Sequence, residues 1–156
     1  MKLLNAIAIA GIGLLVIAFS SQAVGQSQSK APAPKVHRIV IQVSQNDPAV
    51  MNMALNNAEN LAKHYSEKGE KYDIEFVAYG AGLSMMRSDT SPVKDRLAAI
   101  ATQTRNITFA GCGNTLANQS KQENKSISLV PEARIVATGI GRVVELEEQG
   151  WSYVRP

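Results

Sequence analysis

Short runs of apolar and β-branched residues alternate four times with segments of helical periodicity, and this alternation constrains the fold most. The first run, residues 36–43, is Val-His-Arg-Ile-Val-Ile-Gln-Val. The Asp47-Pro48 pair that follows is typical of a helix start, because aspartate caps and proline suits the first helical position. Short connections between alternating strands and helices predict parallel strands, right-handed crossovers and helices on both faces of a sheet.

The same pattern predicts the bounds of the elements. One apolar face, at spacings of four and three residues, runs along the first helix and is formed by Met51, Leu55, Ala58, Ala62 and Tyr65. Strands are predicted over residues 36–43, 74–79, 107–110, 134–138 and 151–154, the last at a sheet edge. Helices are predicted from Pro48 up to Gly69, from Ser91-Pro92 onward, from about Asn114 to residues 122–124, and after Gly141 up to Gln149.

The first 23 residues have the order of a secretory signal. Lys2 precedes an uncharged apolar stretch from Ala6 to Phe19, and the small residues Ser21 and Ala23 then suit a signal peptidase. We predict a signal peptide over 1–23, a disordered linker over 24–35 and one domain over 36–156. The protein is then periplasmic or secreted, with no stable membrane insertion after cleavage. An uncleaved membrane anchor is the alternative. A helix that spans a bilayer needs about 20 apolar residues, however, and the stretch from Ala6 to Phe19 is shorter.

Charge and cysteine content exclude several classes of protein. The 16 basic and 13 acidic residues are scattered, so no basic stripe predicts binding to nucleic acid. One cysteine and two histidines, far apart, disfavour a structural zinc site, and we predict no metal site. In an oxidising compartment the lone cysteine has no partner within its own chain.

Three glycine turns are predicted at the carboxyl edge of the sheet, where open α/β sheets bind ligands. They are residues 80–82, 111–113 and 139–141. No turn carries a full dinucleotide fingerprint, so we predict no nucleotide and no other cofactor. We take Gly80, Gly82, Gly111 and Gly113 as candidate ligand-binding residues. The alternative is that short turns simply need glycine.

Cys112 is the candidate catalytic residue, because it follows an apolar strand and precedes a helix. A helix N-terminus favours the thiolate and lowers its pKa. Asn114 and Thr115 are candidate ligand-binding residues that either donate hydrogen bonds to the sulfur or cap the helix. The alternative for Cys112 is a small buried hydrophobe at a strand end. His37 and His64 are expected to be solvated and far from Cys112.

Two arginines follow glycine turns and are the candidates for facing an anionic ligand. Arg87 lies after the first turn and Arg142 after the third. For both residues, the sequence favours an ordinary exposed surface position.

Four segments of the sequence carry a family resemblance: residues 37–42, 75–83, 109–115 (Phe-Ala-Gly-Cys-Gly-Asn-Thr) and 149–156 (Gln-Gly-Trp-Ser-Tyr-Val-Arg-Pro). Together they resemble the DsrE/DsrF-like sulfur-relay family, as an exported, stand-alone member. The resemblance covers residues 36–156 and implies a flavodoxin-like three-layer α/β domain of about five strands that assembles into homotrimers or hexamers. It also implies that Cys112 carries sulfur as a persulfide.

Three hypotheses about function remain open at this point. In the first, the Cys112 thiolate accepts a sulfane sulfur and passes it on, which makes the protein a sulfurtransferase or a sulfur carrier. The glycine turns and the helix start would stabilise the persulfide, Asn114 would orient it, and the partner would be a donor or acceptor protein or a small thiol. In the second, the same cleft of an oligomer binds a small ligand without catalysis. In the third, Cys112 is buried and inert in a structural oligomer.

Overall fold

A computed structural model describes residues 35–156, and these form a five-stranded parallel sheet between helices. The strand order is β4-β3-β2-β1-β5, and every neighbouring pair is parallel. This confirms the predicted α/β class and its flavodoxin-like three-layer arrangement. The predicted signal peptide and nearly all of the predicted linker lie outside the described residues.

The strands agree with the sequence pattern at their centres and differ from it at their ends. β2 begins three residues before the predicted bound, because Val36 of β1 pairs with Lys71 and extends the ladder through polar residues. β3 continues through Gly111 and Cys112, which were predicted to form a turn. The bounds are β1 Val36–Val43, β2 Lys71–Ala78, β3 Ile107–Cys112, β4 Ala133–Val136 and β5 Ser152–Val154.

Helix α1 shows how local signals set the bounds of an element. The Asp47 carboxylate accepts a hydrogen bond of 2.7 Å from the Ala49 N–H, and Pro48 occupies the first helical position. Gly69 follows the helix with a φ of 67°, a left-handed conformation that suits glycine. The bounds are α1 Pro48–Glu67, α2 Lys94–Gln103, α3 Gly113–Gln122 and α4 Gly139–Glu148.

The connection between β2 and α2 differs from the prediction. A 3₁₀ helix, Gly80–Met86, begins one residue beyond the end of β2, after Tyr79, where only a glycine turn was predicted. The Ser91 hydroxyl accepts a hydrogen bond from the Val93 N–H, so Ser91 closes a turn, and α2 itself begins at Lys94. The predicted start at Ser91-Pro92 is therefore wrong by two residues.

Helices α1 and α2 cover one face of the sheet, and α4 covers the other. Strands β1 to β4 are added in one direction, and the chain then crosses back to place β5 beside β1. Because crossovers are right-handed, this reversal puts α4 on the opposite face. The reversal also gives a different strand order from the 2-1-3-4-5 order of flavodoxin.

Each face of the sheet has its own apolar core. Phe76 and Phe109 stack at 5.3 Å on the side of α1 and α2, where most of the buried residues lie. A smaller cluster on the other side joins Val40, Val77 and Ala110 to Val143 and Leu146 of α4. Among residues 35–156, no helix has both the length and the apolarity needed to cross a bilayer.

Candidate functional site

Cys112 lies where β3 ends and α3 begins. It is the last residue of β3 and the N-cap of α3, and it pairs with Val136 of β4. Its sulfur accepts a hydrogen bond of 3.4 Å from the Thr115 N–H. The residue is a free thiol and is 5% exposed in the single chain. The predicted position at a strand end and helix start is therefore confirmed.

Opposing effects act on the acidity of this thiol. Burial is the largest effect and raises the pKa of Cys112, whereas hydrogen bonds from the Thr115 side chain and from the N–H groups of Thr115, Gly139 and Asn114 lower it. The net direction is a lowered pKa, because several donors together outweigh desolvation. The surroundings of the sulfur thus favour the thiolate.

Gly139 belongs to a second helix start beside the cysteine. It is the first residue of α4, and its Cα approaches both Tyr79 and Cys112 so closely that no side chain would fit. The glycine turn at residues 139–141 is evident in the sequence, but Gly139 is not among the predicted site residues. The signal that could have identified Gly139 is its position in a turn that precedes a helix, at the same sheet edge as Cys112.

Thr115 connects the cysteine to the first glycine turn. The Gly80 N–H donates a hydrogen bond of 3.1 Å to the Thr115 hydroxyl, and one helical turn later the Gln119 amide donates to the Gly80 carbonyl at 3.2 Å. Gly80 has a φ of 56°, which favours glycine at this position. Of the predicted ligand-binding residues, the structure therefore brings Thr115 and the backbone N–H of Asn114 to Cys112, and Gly80 is linked to it through Thr115.

Gly82 and Gly111, which were also predicted to bind a ligand, have packing roles instead. The Cα of Gly82 approaches the Val43 carbonyl, and Gly111 faces Leu83 and Leu129 on the side of the sheet opposite Cys112. The Asn114 side chain is exposed, and its backbone N–H, which also lowers the pKa of Cys112, donates to the Ala137 carbonyl at 3.3 Å. Gly113 is the first residue of α3.

Neither histidine is positioned to form a pair with Cys112. His37 lies at the amino end of β1, where its ring stacks on Tyr65 and contacts Glu70 at 2.9 Å. Cys112 lies at the carboxyl end of β3. His64 is exposed on α1.

The prediction that Arg87 is an exposed surface residue is wrong. Its side chain is 7% exposed and is held by the carboxylates of Asp89 and Glu123. The hydrogen bonds that Arg87 donates to Glu123, and then those that it donates to Asp89, raise the pKa of Arg87. Arg87 and Lys125 in turn hold the pKa of Asp89 below its usual range and lower that of Glu123 to about 2. The guanidinium is saturated by protein groups, which accounts for its burial.

Arg142 is also not a free surface residue. It forms a two-point ion pair with Glu75 of β2, with both nitrogen–oxygen distances at 2.9 Å. Glu75 is 3% exposed and also accepts a hydrogen bond of 2.5 Å from Arg134. This cluster fastens the first turn of α4 to the sheet, on the same face as Cys112.

A polar cavity of about 410 Å³ lies beside the first glycine turn. Its lining includes Ser84, Gln119, Arg87 and Glu123, and Cys112 is not among the lining residues. Across residues 35–156, no three His, Cys, Asp or Glu side chains gather in an arrangement that would hold a metal ion.

No protein-family model matches the chain, and no curated protein matches it. Among solved structures, the chain is similar to MTH1491, a protein of unknown function from Methanobacterium thermoautotrophicum. The two share 27% sequence identity over 77% of this chain and 99% of that chain, with a TM-score of 0.65. This likeness supports the α/β fold.

Proposed function

We propose that the protein handles sulfur through Cys112, in agreement with the resemblance to DsrE/DsrF-like proteins. The observation that carries the proposal is the position of the free thiol at a helix start, where hydrogen bonds outweigh burial and lower its pKa. A thiolate is the nucleophilic form of cysteine, so an environment that lowers the pKa favours sulfur chemistry at this residue.

The proposed step is a transfer of sulfane sulfur. The Cys112 thiolate attacks the outer sulfur of a small persulfide or of thiosulfate, and a new sulfur–sulfur bond forms. The old sulfur–sulfur bond breaks, and its electron pair leaves with the thiolate or sulfite. The product is a Cys112 persulfide, and transfer to an acceptor thiolate reverses the same exchange. No external oxidant or reductant is required.

The alternative is an oligomeric binding module in which Cys112 is structural. The 5% exposure of Cys112 favours this alternative, because a sulfur donor must reach the thiolate. The polar cavity beside Gly80–Met86 would then hold the ligand, away from the sulfur.

Export and self-association belong to the same proposal. The order of residues 1–23 supports a periplasmic or secreted protein. Self-association as a trimer or hexamer is supported by apolar side chains at the surface: Ile140 and Val144 on α4 are 54% and 46% exposed, and Tyr153 on the edge strand β5 is 42% exposed. Light scattering should give a trimeric or hexameric mass, and a monomeric mass at micromolar concentration would contradict this part.

Access to the thiol distinguishes the two functions. We expect a small alkylating reagent to modify native Cys112, at a rate whose pH midpoint lies below that of a free thiol. The chain contains one cysteine, so modification reports on this residue alone, and Cys112→Ser is the blank. If Cys112 reacts only after the protein is unfolded, the sulfur-handling function is wrong and the binding module stands.

A further inference from the structure

We propose that Gly139 is a positioning residue for Cys112: its missing side chain lets the N-terminus of α4 act on the sulfur together with the N-terminus of α3. This inference deepens the proposed function by naming what sets the reactivity of the same cysteine. It concerns the ionisation of the thiol, which is measurable whether or not the protein carries sulfur.

The alternation of side chains along β3 places Cys112 on the face that α4 covers. Phe109 belongs to the core beneath α1 and α2, and Gly111 faces the same side, against Leu129. Ala110 packs with the residues of α4, and Cys112 follows two positions later on that side. The cysteine caps α3 but therefore faces the start of a different helix.

The approach of α4 is too close for any side chain at Gly139. A Cβ built on Gly139 would lie 2.7 Å from the Tyr79 Cβ and 3.1 Å from the Cys112 Cβ. These neighbouring atoms are fixed to the backbone, so no rotation of a side chain would relieve the contact. Adding a methyl group must therefore push the start of α4 away from β2 and β3, together with its free N–H groups.

An ion pair holds α4 in this position from one turn farther along. The Arg142 guanidinium meets both oxygens of Glu75 at 2.9 Å, and Glu75 lies on the same face of the sheet as Cys112. A lysine at this position would keep the charge but lose the two-point contact. Arg142→Lys is therefore a second way to loosen the start of α4 without changing its charge.

The test is a pH titration of the Cys112 thiolate by its ultraviolet absorbance, with each variant corrected by its own Cys112→Ser partner. Gly139→Ala should move the midpoint to higher pH. At a pH below the midpoint, the thiolate fraction should fall about tenfold, as expected when one hydrogen bond to a charged acceptor is lost. The measurement needs no reagent access and no sulfur donor, so its failure is distinguishable from failure of the proposed function.

Gly141→Ala is the matched control on the same helix. A Cβ at Gly141 would meet the tip of the exposed Thr138 side chain, which can rotate away, so the midpoint should stay at the native value. An unchanged midpoint in folded Gly139→Ala, or an equal shift in Gly141→Ala, would overturn the inference. If Gly139→Ala does not fold, Arg142→Lys is the deciding variant. A titration midpoint in Arg142→Lys equal to that of the native protein would also overturn the inference.

Discussion

Replacing Glu75 by glutamine should destabilise the fold more than any loss of a surface ion pair. Glu75 is 3% exposed and accepts three hydrogen bonds, one from Arg134 and two from Arg142. Glutamine keeps one acceptor oxygen but turns an amide N–H₂ group toward arginine donors. It also removes the negative charge that pairs with the guanidinium groups of Arg134 and Arg142.

The magnitude follows from how exposed the two arginines are. Breaking a fully buried ion pair costs about 3–5 kcal/mol, and losing a single hydrogen bond to a charged group costs about 1.5 kcal/mol. The Arg134 and Arg142 side chains are 48% and 23% exposed, so water replaces part of what they lose. We therefore expect a loss of about 2–3 kcal/mol, which corresponds to roughly 10 °C in Tm for a domain of this size.

Urea unfolding followed by circular dichroism measures this loss, and Glu59→Gln is the matched control. Glu59 pairs with Arg96 at 2.6 Å, but the two side chains are 44% and 33% exposed. A pair of this kind contributes about 1 kcal/mol or less. Equal destabilisation by the two substitutions would refute the view that the Glu75 cluster fastens α4 to the sheet.

Two further predictions concern charge and hydrogen bonding. Arg87 and Lys125 lower the pKa of Asp89 and Glu123, so the stabilisation is complete above the unfolded values and is lost as the pH falls toward 2. Arg87→Met should therefore lower Tm at neutral pH and reduce its dependence on pH between about 5 and 2, and parallel Tm curves for the two proteins would contradict this. Thr115→Val should move the Cys112 thiolate titration to higher pH, because the Thr115 side chain helps to lower that pKa. Thr115→Ser keeps the hydroxyl and should retain the native midpoint.

Local signals were enough to predict most of the fold. The predicted bounds of β1 are correct because its run of β-branched residues ends at a polar residue. The predicted extent of α1 is correct because Asp47 caps its start and Gly69 follows its end. The position of Cys112 between a strand and a helix followed from the same kind of signal. Each of these features depends on residues that are close together in the chain.

Features that depend on distant residues could not be predicted in the same way. Burial of Arg87 requires Glu123 to fold back against it, and nothing near Arg87 in the sequence indicates that partner. The approach of α4 to Cys112 requires the reversal of strand order after β4. Alternating strands and helices predict parallel crossovers but do not fix where that reversal occurs. The assignments to export and to the DsrE/DsrF-like family stay predictions.

The most direct test of the account is the intact mass of the native full chain after exposure to thiosulfate or a small persulfide. We predict a gain of one sulfur atom that a thiol reductant removes, with no gain in Cys112→Ser. Because the chain contains one cysteine, the added sulfur reports on Cys112 alone. An unchanged mass under conditions in which the unfolded chain does gain sulfur would contradict the proposal that Cys112 is a sulfur carrier.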